Sequence, residues 1–343
     1  MEHRPLLAVT MGDAAGIGPE ISLKALSSPV VCSMARCCLF GDAHVLESAA
    51  RFPGMPDLRL NFISDPRNGD YSEGVVNVVS LDRLHSGDYV LGKVNALCGQ
   101  SAFESIAQAV ASCRDGVCDA LVTTCINKES LRAAKVPYIG HTEILGGVLG
   151  EAHPITVFSL EDLLVFFLSR HLSLMEAISK VKKDNIVGSV RRCFKVLEQL
   201  GRQQSPFAVA GLNPHCGEHG LFGREEVDEI MPAVSELQKL GLPVVGPVSA
   251  DAVFHQGIQG RYGGILSLYH DQGHIATKTR DFVRTISITG GLSILRTSVD
   301  HGTAFDIAGK GLADEASLVE AITVAARYAP TFRPWNEVRG DLD

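Results

Sequence analysis

The chain has 343 residues, 45% of them hydrophobic and 20% charged, with Lys+Arg 31 against Asp+Glu 39 for a net charge of −8. That length predicts two domains, and an acidic balance with no Lys/Arg-rich run excludes nucleic acid and an anionic membrane surface as partners. No stretch reaches the roughly 18 apolar residues of a membrane span, the first apolar run is too short for a signal peptide, and the nine cysteines are scattered, so a cytoplasmic protein with reduced thiols is expected.

In chain order, residues 6–11 predict a strand and GDAAGIGPEISLKAL a tight turn into a helix, with Pro19 suited to its first turn and Glu20 to its dipole. The glycines at 12, 16 and 18 fit neither the dinucleotide fingerprint nor the P-loop spacing, so a strand-to-helix turn is the reading. Strands follow at 38–40 and 75–79, and the Pro/Gly/Asp-rich stretch between them reads as loops. Phe103, Ile106, Ala107 and Val110 fall at helical spacing, and residues 120–124 are a strand ending in Cys125, Ile126, Asn127 and Lys128. Gly140, His141, Thr142 and Glu143 open another helix, where free amides could hold an anion or Thr142 could simply cap. Residues 157–168 form a strand or hairpin ending at Ser169, Arg170 and His171, and 185–200 form an amphipathic helix. The strand at 207–211 runs into LNPHCGEHGLFGREE, a loop too rich in His, Glu and Gly for a plain connection. Residues 243–248 are a short strand, with Asp251 just beyond it, and 316–329 a closing helix. Alternating strands and helices imply βαβ units and a parallel or mixed sheet covered on both faces.

The densest chemistry lies in 267–314. An apolar strand at 263–269 delivers His270, Asp271 and Gln272; Lys278, Arg280, Arg284 and Arg296 follow, then Asp300, His301, Gly309 and Gly311. Strand ends facing a crevice are where α/β proteins place ligands, and glycine lets backbone approach an anion. His171, His215 and His270 each follow an apolar strand. Brought together, three imidazoles would hold Zn²⁺ or a similar ion and leave a position open for substrate. HExxH and GxSxG are both absent, so neither a zincin nor an α/β-hydrolase is indicated. Asp251 and Asp271 are candidates for proton transfer or for orienting a ligand.

These residues amount to a family resemblance. MGDAAGIGPEI, INKESL with VPYIGHTEIL, GLNPHCGEHGLFGREE, YHDQGHIATK and RTSVDHGTAFDIAGKGLAD resemble, in order and over nearly the whole chain, the motifs of the 4-hydroxythreonine-4-phosphate dehydrogenase family. HGTAFDIAGKG also resembles a segment of the isocitrate and isopropylmalate dehydrogenases. The resemblance implies two α/β/α sandwich domains of that type with the active site in the cleft between them: 1–135 plus 290–343, and 136–289 carrying the metal histidines and dimer interface. It implies an NAD-dependent, divalent-metal-assisted (Zn, Mg or Co) oxidation and decarboxylation of a 4-phosphorylated hydroxy acid, of the kind used in pyridoxine biosynthesis. It further implies a homodimer with shared active sites. On the family pattern His171, His215 and His270 match metal ligands, and His141, Thr142, Lys278, Ser287 and Arg296 match substrate positions, Lys278 also serving catalysis. Gly217, Glu218, Gly309 and Gly311 lie where the cofactor is expected.

The family usually carries Asn where Ser287 stands, Pro at Ala14 and Ser293, and Thr at Ala252. A hydroxyl reaches less far than an amide, so Ser287 favours 4-phospho-D-threonate or 4-phospho-D-erythronate over 4-phosphohydroxy-L-threonine. A terephthalate-type dihydrodiol dehydrogenase is a further alternative, which Arg296, suited to phosphate, argues against. A non-catalytic metal or phosphometabolite binder is the alternative of another class.

Overall fold

The computed structural model describes residues 4–152 and 154–338. Contacts divide the chain into two compact units, one built from the residues up to Pro154 and Gly291–Phe332, the other from Ile155–Gly290 and the chain from Arg333 on.

The first unit begins with β1 (Leu6–Thr10), α1 (Gly18–Ser27), α2 (Pro29–Met34), β2 (Arg36–Gly41), α3 (Ala43–Ala49), β3 (Arg59–Phe62) and β4 (Val75–Ser80). It continues through α4 (Ala96–Arg114), β5 (Ala120–Thr123), α5 (Lys128–Ala133) and α6 (His141–Leu149). The second unit runs β6 (Ile155–Leu160), β7 (Leu163–Phe167), α7 (Leu174–Ser179), α8 (Lys183–Gln199), β8 (Phe207–Ala210) and α9 (Met231–Lys239). After these come β9 (Val244–Val248), α10 (Ala250–Ile258), β10 (Gly264–Ser267), α11 (His270–Arg280) and β11 (Ile286–Gly290). The chain then returns to the first unit with β12 (Arg296–Ser298) and α12 (Ala316–Tyr328).

Strands of the first unit lie in the order β3-β4-β2-β1-β5-β12, every pair parallel. Parallel strands are covered on both faces, which is why β1 and β5 are short, fully buried and apolar up to a terminal threonine. Strand order reverses between β1 and β5, so the chain after Thr10 and after Thr123 emerges at a topological switch point. Gly12 takes the left-handed conformation there, and a Cβ on it would stand 2.3 Å from the Cys125 carbonyl oxygen. Asn95 caps α4 by accepting from Leu97 and Cys98 amides, and Asn127 caps α5. Phe40, Ile106, Leu121 and Ile144 meet in the core.

In the second unit the order is β11-β6-β7-β10-β8-β9, with β6 antiparallel to both neighbours and the rest parallel. The predicted hairpin at 157–168 is β6 and β7. Phe158, Val165, Ala208, Val253 and Ile265 form its core.

The sequence predicts the first passage between domains after residue 135; the contacts place it after Pro154. The cause is α6, which packs on α4 so that Ile144 and Leu145 join the first core. Residues 333–338 likewise sit with the second unit, where Arg333 pairs with Glu198 at 3.0 Å and Lys195 lies over the Trp335 ring. The strand β3 falls where loops are expected: it is an edge strand, and its partly exposed Arg59 and Asn61 break the apolar pattern.

Candidate active site

Two polar clusters stand out, one in each unit, and each gathers residues at or near the ends of strands and helices.

In the first unit Arg296 opens β12 and is buried beside β5, where its Nε and one Nη lie 3.0 and 2.6 Å from Thr123 Oγ1. Burial pushes the guanidinium pKa down and the nearby Asp300 charge pushes it up. A cation kept from water gains most from an anionic partner with oxygens to fill its fork. His141 is the first residue of α6, with Thr142 next to it in the first turn. Its Nε2 is buried with no hydrogen-bond partner among the described residues, and its pKa is driven well below the ordinary histidine value, first by burial and then by the Arg296 charge. His141, the Thr142 hydroxyl, first-turn amides and a guanidinium are the kinds of donor that phosphate oxygens accept from.

Asp13, which the sequence motif did not single out, is a further buried group at this end of β1. Its Oδ1 accepts from the Ala15 amide at 2.9 Å, its Oδ2 has no hydrogen-bond partner among the described residues, and burial raises its pKa. The signal was the acid inside the Gly-rich MGDAAG turn. Gly309 and Gly311, placed with the cofactor on sequence grounds, both have positive φ, and a Cβ on Gly311 would lie 1.8 Å from the Pro53 carbonyl oxygen. Packing alone therefore explains glycine at 311.

In the second unit His270 begins α11, and its Nδ1 lies 2.6 Å from Asp271 Oδ1. That contact orients the ring, as a carboxylate steadies a histidine ligand. His171, beyond the end of β7, stands with its ring centroid 6.1 Å from that of His270. Two rings on one tetrahedral ion would be about 5 Å apart by simple geometry, so modest rotation would bring the pair to ligation distance. His215 sits on the loop after β8 with φ 52, exposed. Among the described residues no three His, Cys, Asp or Glu side chains are gathered closely enough to hold an ion. The donor types, three imidazoles, suit a divalent metal; two of the rings lie near each other and His215 is on the loop after β8.

The same face of α11 continues through His274, stacked on His270 at 3.6 Å, to Lys278, whose Nζ lies 5.7 Å from the Phe158 ring centroid and 5.2 Å from that of Phe282. Residues at i, i+4 and i+8 share a helix face, so one stripe carries two imidazoles and an ammonium. His274 was not singled out from sequence; the spacing HDQGHIATK was its signal. Ser287 is buried on β11 directly opposite Phe158, on the sheet face that Phe158 presents to His274 and Lys278. Asp251, in the first turn of α10, accepts from Ser249 Oγ at 2.7 Å, and its charge reaches Cys216 in the His215 loop. Gly217 is buried and Glu218 exposed in that loop.

Three comparisons bear on this arrangement. The family described as "Pyridoxal phosphate biosynthetic protein PdxA" matches residues 33–325. A Fusobacterium nucleatum protein named "Putative D-threonate 4-phosphate dehydrogenase" is 51% identical over 330 residues, covering 96% of this chain and 99% of that one. A Halalkalibacterium halodurans protein of the same name is also 51% identical, over 333 residues, covering 97% and 99%. Among solved structures, 4-hydroxythreonine-4-phosphate dehydrogenase from Klebsiella pneumoniae superposes with TM-score 0.87 at 36% identity, covering 95% of this chain and 98% of that one. A terephthalate 1,2-cis-dihydrodiol dehydrogenase from Burkholderia xenovorans reaches TM-score 0.63 at 28% identity, covering 95% and 98%.

Proposed function

The chain belongs to the PdxA family, with its isocitrate/isopropylmalate dehydrogenase-like fold and 4-phospho-hydroxy-acid dehydrogenase activity, and from that premise we propose that it oxidises and decarboxylates 4-phospho-D-threonate or 4-phospho-D-erythronate with NAD and a divalent metal. The observation that carries the reading is Arg296, a buried guanidinium held against Thr123, beside a neutral His141. It suits a dianionic phosphate better than a dicarboxylate or a diol.

Bound NAD would supply the hydride acceptor and bound zinc, magnesium or cobalt a Lewis acid at the substrate hydroxyl. His171, His215 and His270 would hold the metal. Arg296, His141 and Thr142 would grip the phosphate, so that the carbon bearing the 3-hydroxyl is presented in one orientation. Oxidation there removes a hydride and the hydroxyl proton, for which Asp251 and Asp271 are the candidate acceptors. The 3-keto acid then loses its carboxylate as carbon dioxide when the C1–C2 bond breaks, leaving an enolate that takes one proton. Lys278, held over two aromatic faces, would neutralise that enolate's charge. Gly217 and Glu218, with Gly309 and Gly311, remain the proposed cofactor contacts.

The direct test is a panel of phosphorylated four-carbon hydroxy acids with NAD or NADP, following absorbance at 340 nm and released carbon dioxide together. Reduced cofactor without carbon dioxide would remove decarboxylation; turnover of the unphosphorylated acids at equal efficiency would remove the phosphate site.

Ser287 is proposed to set substrate choice. Ser287→Asn adds an amide donor and acceptor at the buried position facing Phe158 and should raise kcat/KM for 4-phosphohydroxy-L-threonine relative to 4-phospho-D-threonate by roughly tenfold, about 1.4 kcal/mol. An unchanged ratio in a folded, metal-binding variant would remove Ser287 from specificity.

A homodimer with shared sites is proposed as well. Mixing His171→Ala with His270→Ala protein should restore part of the activity if those ligands come from different subunits. A dead mixture after proven subunit exchange would instead place both on one ion within a single chain, as their 6.1 Å separation allows.

A further inference from the structure

Residues His215–His219 all have positive φ, between 43 and 75 degrees, and only one of the five is glycine. They form a left-handed turn, which L-residues avoid because Cβ crowds the following carbonyl. Such backbone persists only where its surroundings over-determine it.

Two side-chain clamps do so, one fully buried and one half-buried. Glu226 is fully buried; its Oε1 accepts from the Leu212 and Asn213 amides, each at 2.7 Å, and its Oε2 accepts from Asn213 Nδ2 at 2.8 Å. From the other side, Gln272 Nε2 donates to the Gly211 carbonyl at 2.8 Å while its Oε1 accepts from the Leu268 amide at 2.8 Å. Three consecutive residues, 211 to 213, are thus held immediately before the turn. Its far end is closed by the Phe222 amide on the Gly217 carbonyl at 3.1 Å. A Cβ on Gly217 would come within 2.9 Å of Glu226 Oε2, so the turn is seated directly on that carboxylate. Gln272 lies two residues beyond His270 on α11, so its amide bridges the His215 loop to the helix that carries His270.

We propose that Glu226 and Gln272 are positioning residues that enforce the left-handed turn and thereby fix where the His215 imidazole stands relative to His270. The inference rests on the reading of these histidines as ligands of one divalent ion. The chemistry at each clamp is specific. A carboxylate accepts on both oxygens, whereas Glu226→Gln points an amide NH₂ at the NH₂ of Asn213. Gln272→Glu turns a donor into an acceptor facing the Gly211 carbonyl.

Full-length protein stripped of metal by chelator is titrated with Co²⁺, followed by calorimetry and by the visible absorption of the bound ion, with circular dichroism confirming the fold. Glu226→Gln and Gln272→Glu should each weaken Co²⁺ binding roughly tenfold or more and alter the visible band. Gln272→Met, which keeps the volume and loses all the side-chain hydrogen bonds of Gln272, serves if either charged change fails to fold, and should weaken binding likewise. His215→Ala is the control. If it loses Co²⁺ while the folded clamp variants keep wild-type affinity and spectrum, the clamps do not position the ligand and the proposal is overturned. If His215→Ala itself binds Co²⁺ like the wild type, the ligand reading has failed, and the proposal falls with it for that separate reason.

Discussion

Arg296→Ala is expected to lower kcat/KM for a 4-phosphorylated hydroxy acid by a factor on the order of tens to thousands, about 2 to 5 kcal/mol of transition-state stabilisation. The magnitude follows from where the guanidinium sits. It is 4% exposed, so its interaction with a phosphate dianion is little screened, and Thr123 Oγ1 already occupies two of its nitrogens and fixes the fork. Arg296→Lys should recover little, because an ammonium places one point charge where the planar fork placed several donors. A purely structural role for Arg296 predicts something different. Truncation would then lower the melting temperature and reduce turnover of phosphorylated and unphosphorylated acids in the same proportion. The ratio of the two kcat/KM values in the folded variant decides between these outcomes, and an unchanged ratio would sink the phosphate assignment.

Much of the frame was legible because buried parallel strands are short apolar runs whose ends must carry the polar groups. That logic located β1, β5, β8 and β10 and, just beyond strands, His171, His215, His270 and Asp251. It did not separate β11 and β12 within the charge-rich 267–314 stretch, where Ser287 and Arg296 interrupt the apolar pattern while remaining buried. Polar residues inside strands look like loop until tertiary partners are known: Thr123 for Arg296, and the opposite strand for Ser287. The left-handed turn at 215 was equally hidden. Four of its five residues are ordinary L-residues, and the groups that hold it, Glu226 and Gln272, lie 11 and 57 positions from His215 along the chain. No local pattern can report a conformation imposed from such distances. Gly311 shows the limit of reading glycines from sequence: contact with Pro53 by itself requires glycine there, so the residue type alone does not indicate a cofactor.

The other large effect concerns the latch that fixes the 309–313 loop. Glu20, in the first turn of α1, is fully buried, and its Oε1 accepts from Lys24 Nζ at 2.9 Å and from the Ala313 amide at 2.9 Å. Lys24 Nζ also donates to the carbonyls of Gly311 and Ala313, at 3.0 and 2.8 Å. One cation therefore bridges one oxygen of a buried carboxylate and two carbonyls at once. Lys24→Met removes all three contacts and leaves the Glu20 charge in an apolar setting, which typically costs about 3 to 5 kcal/mol. The positive end of the α1 dipole offsets on the order of 1 kcal/mol of that, since Glu20 lies in the first turn. The net loss should lower the melting temperature by roughly 10 °C and expose Lys310 to trypsin before the rest of the chain. Adding Glu20→Gln should recover more than half of the stability, because a neutral amide needs no countercharge and can still accept from Ala313. The loop would remain looser than in the wild type, since Gly311 and Ala313 regain no donor. If Lys24→Met costs under about 1 kcal/mol, or if the double variant is less stable than the single one, the pair is not what holds α1 to this loop, and backbone packing of Gly311 on Pro53 carries it instead.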